Sequence, residues 1–215
     1  MKPRHIPVDG PDFALESACL ARGETRVLGV DEAGRGPLAG PVVACAVRLD
    51  PSRVPQGLDD SKRLSQSARE RLLNVLRDLA ASGHAEIGLG IAEPAEIERL
   101  NILWATMSAM ERAVRAAGGG YALVDGNRVP RGVRGEALVK GDARCVSIAA
   151  ASIVAKEVRD GLMAGACVRF PGYGLAGHKG YPTAAHRDAV ASIGPCPVHR
   201  WGFGNIGSGG GQTLP

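Results

Sequence analysis

Two valine-rich segments, Arg26 to Val30 (RVLGV) and Pro41 to Leu49 (PVVACAVRL), are separated only by the glycine-laden turn EAGRGPLAG. Segments of this kind read as strands, because β-branched side chains are stiff in a helix and pack well on a pleated surface. The rest of the chain must therefore be laid onto a sheet. Ala85 to Ile91 adds a short apolar strand, and two further short strands, Tyr121 to Val124 and Ala137 to Lys140, end in Asp125-Gly126-Asn127 and Gly141-Asp142. Helical patterns lie among these strands. One starts near Ser67, where Ser67 and Glu70 match a capping box and Leu72, Leu73, Leu76 and Leu79 share a face. A second runs from Glu96 to Ala117, with Ile97, Leu100, Trp104, Met107, Met110 and Val114 at helical spacing, and stops at Gly118-Gly119-Gly120. A third, Ser147 to Val168, opens with small residues (SIAAAS) that let it lie close against a sheet. A weaker helical pattern over Pro11 to Arg22 stops at Gly23, and Asp50 to Arg63 reads as polar loop. Adjacent strands followed by strands alternating with helices predict one α/β domain with a mixed sheet over residues 1–206. Gly207 to Pro215 (GSGGGQTLP) is expected to be a flexible tail.

Composition narrows the function classes. Of 215 residues, 45% are apolar and only 4% aromatic, so one sizeable core must be built from aliphatic side chains. The net charge of +4 admits a polyanionic partner only if basic groups are gathered on one face. No apolar run nears the roughly 18 residues of a membrane span, and the start MKPRHIPVDG is no secretory signal. The five cysteines are scattered without a C-x-x-C pair, which points to reduced thiols in the cytoplasm rather than zinc or disulfides.

The chemistry-bearing pattern is acidic. Asp31-Glu32 follows the first strand, Asp125 a later one and Asp142 another. A single aspartate at a strand end is usually a turn or helix cap, but α/β sheets gather their sites at the carboxyl ends of strands. Clustered carboxylates either hold raised pKa values or bind cations, and oxygen donors without histidine or cysteine favour magnesium or manganese. Neighbouring residues on a strand face opposite ways, so a shared site for Asp31 and Glu32 requires the strand to bend or end there. The glycine turn is not a dinucleotide fingerprint: Gly34, Gly36 and Gly40 are spaced one residue too long, and a strand follows where a helix is required. The chain has no P-loop and no G-x-S-x-G elbow.

Seven blocks, GVDEAGRGPLAGPVVACAV (29–47), DSKRLS (60–65), LNILWATMSAM (100–110), VDGN (124–127), VKGD (139–142), SIAAASIVAKEVRD (147–160) and HKGYPTAAH (178–186), resemble ribonuclease HII in order over residues 11–204. The short amino terminus is unlike ribonuclease HIII, which carries an additional amino-terminal domain. The resemblance implies a ribonuclease H-like fold, a five-stranded mixed sheet flanked by helices, with a helical carboxyl-terminal part. It implies a monomeric endonuclease that cuts the RNA strand of RNA–DNA hybrids and nicks duplex DNA at embedded ribonucleotides. Two Mg2+ or Mn2+ ions would serve the reaction, and 3′-hydroxyl and 5′-phosphate ends would result.

Carried over residue by residue, the resemblance makes Asp31, Glu32, Asp125 and Asp142 the catalytic, metal-holding carboxylates. Gly34, Arg35 and Gly36 match the ribose-sensing turn, and Tyr181 matches the tyrosine that packs against the next sugar. Ser61, Lys62, Lys140, Ser152, Lys156 and Arg159 are the expected phosphate contacts; Ser152, Lys156 and Arg159 have the spacing of one helix face. Trp104, Gly161 (which would interrupt a helix) and HRWGFG (199–204) depart from the family pattern. Two other readings are another ribonuclease H-like metal nuclease acting on DNA structures and a non-catalytic hybrid-binding module. The first would not need the GRG turn or Tyr181, and the second would be favoured by loss of a carboxylate.

Overall fold

The structure, a computed structural model, describes residues 10–204 and 206; the expected tail over 207–215 lies outside them. The valine-rich segments become β1 (Val27–Ala33) and β2 (Val42–Leu49), paired antiparallel with Gly29 opposite Val47. Next comes α2 (Gln66–Ala81), preceded in the chain by α1 (Ala14–Ala21), and then β3 (Ala85–Ala92), antiparallel to β2. The long α3 (Pro94–Ala116) leads to β4 (Tyr121–Asp125) and β5 (Gly135–Leu138), both parallel to β1. The spatial order β3-β2-β1-β4-β5 is the expected five-stranded mixed sheet. The chain closes through α4 (Val146–Arg169), α5 (Leu175–His178) and α6 (Ala184–Ile193), the helical carboxyl-terminal part.

Both faces of the sheet are covered, so alternate residues of one strand enter different cores. Val42, Ala44 and Ala46 of β2 pack with Leu28, Val30 and the Ala105, Ala109 and Ala113 stripe of α3. Cys45, Val47 and Leu49 pack instead with Leu72 and Leu76 of α2 and Ala149, Ala150 and Ile153 of α4. The helices approach the sheet closely enough to exclude a methyl group. A Cβ on Gly29 would lie 2.1 Å from the backbone of Ser147 and Ile148, and one on Gly90 would lie 2.0 Å from the Ala109 carbonyl. A chain poor in aromatics fills its core by this closeness. Among the described residues, no helix is long and apolar enough to cross a membrane.

Local chemistry corrects several sequence-based boundaries. Ser65, not Ser67, caps α2: its Oγ accepts from the Ala68 N–H at 3.2 Å, while Glu70 bonds Gln66 rather than reaching back to the cap. The α3 segment is two helices meeting at Asn101 (φ 65°), whose Oδ1 accepts from the N–H groups of Leu103 and Trp104 and so caps the second. The β5 strand starts two residues before Ala137, and Lys140 leaves it with φ 56°. Gly161 does not interrupt α4, which runs through it, and Trp104 is exposed with the Arg131 guanidinium 5.2 Å from its ring. The polar loop before α2 holds one 3-10 turn, Pro51–Arg53.

Two glycines separate packing from propensity. Gly29→Ala forces a methyl into backbone and should destabilise the protein by at least about 3 kcal/mol. Gly161→Ala, with no atom within 4 Å of its Cβ position, should stabilise it by about 0.5–1 kcal/mol. Urea unfolding of both variants measures the pair; equal effects would contradict the close packing of α4 on β1.

Candidate active site

The sheet topology delivers the carboxylates. In the parallel pair β1 and β4, Val30 faces Val124, so Asp31 and Asp125 leave the sheet side by side. The next parallel strand, β5, ends opposite Asp125 and runs into the 3-10 turn Gly141–Ala143, which carries Asp142. The turn is tied back by the Gly141 N–H, which donates to Asp125 Oδ1 at 2.7 Å. Glu16, fully buried on α1, anchors the start of α4 just beyond, accepting from the Ser147 N–H at 2.9 Å. Asp31, Asp125 and Asp142 thus bring carboxylate oxygens within 4.8 Å of one another.

Glu32 stands apart from this trio. The strand continues through Asp31 to Ala33, and Glu32 pairs with exposed Arg35 at 3.3 Å, outside the 4.8 Å group but close enough for its charge to act on Asp31 and to feel Asp125 and Lys62. Burial raises its carboxyl pKa, and Arg35 opposes the rise. Burial, then the charges of Glu32 and Asp125, pushes Asp31 well above the ordinary carboxylate range. Burial and Asp125 raise Asp142 in the same way. Only oxygen donors meet here, in a place where charge is costly without a counter-ion. The donor set therefore fits a hard divalent cation.

The expected phosphate contacts divide. Lys62 reaches outward, largely exposed, with Nζ 4.0 Å from Asp142 and 3.9 Å from Asp60. Burial alone would lower its pKa, but Asp60, Asp31 and Asp142 raise it. Lys140 is exposed beside the Asp142 turn. Ser61 and Ser152, by contrast, are buried, bond each other at 2.8 Å and brace Asp31 through the Ser152 hydroxyl. Lys156 is held by both oxygens of Asp160 at 2.7 Å. Arg159 is 2% exposed and bonds only backbone carbonyls. Helical spacing aligned the three residues, but Ser152 and Arg159 are turned inward, and Lys156 stays partly exposed in its pair with Asp160.

The glycine turn lies directly beyond β1. Gly34 has φ 99°, and a Cβ there would meet Arg159 Nε at 2.1 Å, so only glycine fits. Arg35 and Gly36 are exposed, and the Tyr181 ring lies over Gly36, 3.6 Å from where its Cβ would be. Tyr181 is 46% exposed. Its carbonyl accepts from His186 Nδ1 at 3.0 Å, and the buried His186 and His199 rings meet at 3.1 Å. Burial lowers the pKa of both histidines, keeping them neutral. The residue whose place the sequence least foretold is Arg200, fully buried beneath the turn, with four hydrogen bonds to its carbonyls. Its only sequence signal is membership of the HRWGFG segment, far from the turn in the chain.

The family profile of ribonuclease HII matches residues 28–206. Ribonuclease HII of Maricaulis maris is 56% identical over 185 residues, covering 84% of this chain and 83% of the relative. Ribonuclease HII of Rhizorhabdus wittichii is 54% identical over 200 residues, covering 92% and 95%. Among solved structures, a chain of the PCNA:RNase HII complex from Archaeoglobus fulgidus superposes with TM-score 0.66 at 24% identity, over 83% of this chain and 95% of that one, a likeness of fold.

The raised carboxyl pKa values set a testable sign. Folding favours the protonated forms of Asp31 and Asp142, so the metal-free protein loses stability as pH rises through their folded pKa values, and a bound cation restores it. The gain in melting temperature from MgCl2 or MnCl2 should grow from about pH 5 to about pH 8. Asp31→Asn should raise the melting temperature without added metal at neutral pH by about 2–4 °C, the equivalent of about 1 kcal/mol at this chain length, and should shrink the cation-induced gain. A metal-free Asp31→Asn protein less stable than wild type would contradict the repulsion.

Proposed function

Because the chain belongs to the ribonuclease HII family, and is thereby an endoribonuclease acting on nucleic acid, we propose that it hydrolyses the RNA strand of RNA–DNA hybrids and nicks duplex DNA on the 5′ side of embedded ribonucleotides. The products carry 3′-hydroxyl and 5′-phosphate ends. One observation carries this reading: the converging carboxylate trio includes Asp31, three residues before a Gly-Arg-Gly turn whose Arg35 and Gly36 are exposed and which is overlaid by a half-exposed tyrosine. The trio supplies a place for phosphodiester hydrolysis, and the turn supplies a place to examine a sugar.

Enzymes of this family depend on divalent metal. Asp31, Asp125 and Asp142, with Glu32 from the next position, would hold two Mg2+ or Mn2+ ions. Such ions, when bound, supply a low-pKa water nucleophile and charge neutralisation at the phosphate. The protein's own groups do the rest. Ser61 and Ser152 fix the Asp31 carboxylate, and the Gly141 N–H fixes that of Asp125. Lys62 and Lys140 hold backbone phosphates beside the trio, and Arg35 turns from Glu32 to a phosphate as the substrate enters. Main-chain groups of Gly34, Arg35 and Gly36 contact the ribose 2′-hydroxyl, the atom that separates RNA from DNA. Tyr181 packs against the following sugar. The enzyme works as a monomer in the cytoplasm, where its five thiols stay reduced.

Two variants test the division of labour. Asp125→Asn should lower kcat on a DNA duplex containing one ribonucleotide by about a thousandfold or more while the fold survives, since one ligand charge is lost. Normal turnover at any magnesium or manganese concentration would remove Asp125 from the site. Tyr181→Ala should lower kcat/KM at a single ribonucleotide in DNA about tenfold more than within a long hybrid, where each sugar carries the 2′-hydroxyl, by analogy with the roughly 1–3 kcal/mol of an aromatic stacking contact. An equal fall on both substrates would leave Tyr181 a packing residue.

A further inference from the structure

Arg159 and Arg200 head the fully buried side chains, and among the described residues neither forms an ion pair. A buried guanidinium without a carboxylate is expensive and is tolerated only when its donors are all used. Their bonds go almost entirely to one loop. Arg200 donates from Nη2 to the Gly34 carbonyl at 2.6 Å, from Nη1 to Arg35 at 3.1 Å and Pro37 at 2.9 Å, and from Nε to Gly40 at 2.8 Å. Arg159 donates to the carbonyls of Ala39 and Pro41, and also to Lys179, two residues before Tyr181.

Peptide planarity turns this grip into an aim. In a trans peptide the C=O of one residue and the N–H of the next point in opposite directions. With the Gly34 and Arg35 carbonyls drawn inward by Arg200, the N–H groups of Arg35 and Gly36 must face outward. No bond within the chain takes up either N–H among the described residues, whereas the neighbouring N–H groups of Leu38 and Gly40 are used by Gly180 and Val198. Arg35 and Gly36 are also the two exposed residues of the turn. Two outward N–H donors from successive residues can together bind a single acceptor oxygen.

We propose that Arg200 is a positioning residue for sugar selection: by holding the Gly34 and Arg35 carbonyls it points the Arg35 and Gly36 N–H groups at the substrate's 2′-oxygen. This rests on the reading of the turn as the ribose sensor. Arg159 ties the same loop to the segment bearing Tyr181, so both sugar contacts share one buried cationic brace. The brace is built from α4 and from the segment after α6.

The test is a cycle between Arg200 and the 2′-hydroxyl. Dissociation constants are measured, with Ca2+ as the ion, for a DNA duplex carrying one ribonucleotide and for the same duplex entirely of DNA. Wild type should prefer the ribonucleotide about tenfold, the worth of one or two hydrogen bonds. Arg200→Lys keeps the charge but loses the planar fork, so the preference should fall to about twofold or less, with the all-DNA constant changed by less than about twofold. A variant that is less stable but keeps the full preference would overturn the proposal. Equal wild-type affinity for the two duplexes would instead overturn the sensor reading on which it rests. The wild-type enzyme provides a measurement that needs no variant: by NMR-detected hydrogen exchange, the free protein should exchange the Arg35 and Gly36 amides quickly and those of Leu38 and Gly40 slowly. The ribonucleotide duplex, but not the all-DNA duplex, should slow the first pair. Protection of Arg35 and Gly36 in the free enzyme would show their N–H groups already used, and would also overturn the proposal.

Discussion

The site depends on a backbone-to-backbone contact between α4 and β1, where Gly29 lies under Ser147 and Ile148 with no room for a methyl group. That contact sets two rulers side by side. From Ile148 to Ser152 a helix advances about 6 Å, and from Gly29 to Asp31 a strand advances about 6.5 Å. From Ile148 to Arg159 and from Gly29 to Gly34 the distances are again matched, at about 16 Å each. The helix therefore meets the strand at successive levels: small residues over Gly29, the Ser152 hydroxyl at Asp31, and the Arg159 guanidinium beneath Gly34. A larger residue at Gly29 would lift the helix and loosen both functional levels together.

Charge is arranged in opposite senses on the two sides of the turn. The carboxylates of Asp31, Asp125 and Asp142 are crowded and partly desolvated, which raises the cost of their ionised forms and makes a cation welcome. Beneath the turn, Arg159 and Arg200 are buried and form no ion pair among the described residues, and burial lowers the pKa of each. Neither arrangement serves stability well by itself. The loop between them joins the two, since Arg159 and Arg200 bond its carbonyls while Asp31 stands just before it.

The residues that sequence reading placed well share one property: their roles follow from local pattern. The strands, the small-residue start of α4 and the carboxylates at strand ends fall under periodicity and the topology of α/β sheets. The surroundings of others depend on which way a helix faces. Spacing put Ser152, Lys156 and Arg159 on one face, but whether that face looks to solvent or to the sheet is decided by β1. Glu32 shows the same limit. Its adjacency to Asp31 did not foretell that its carboxylate would lie outside the 4.8 Å group and pair with Arg35.

Local pattern was enough to establish that this chain is a mixed α/β domain, that acids lie at or near the carboxyl ends of its strands, and that a glycine turn lies beside them, because each is written within a few consecutive residues. What holds that turn became visible in the folded chain alone. Arg200 contacts carbonyls up to 166 residues away, and Arg159 contacts carbonyls up to 120 residues away. Such pairings leave no periodic trace, since a buried arginine whose partners are backbone carbonyls is indifferent to the side chains of the residues it holds.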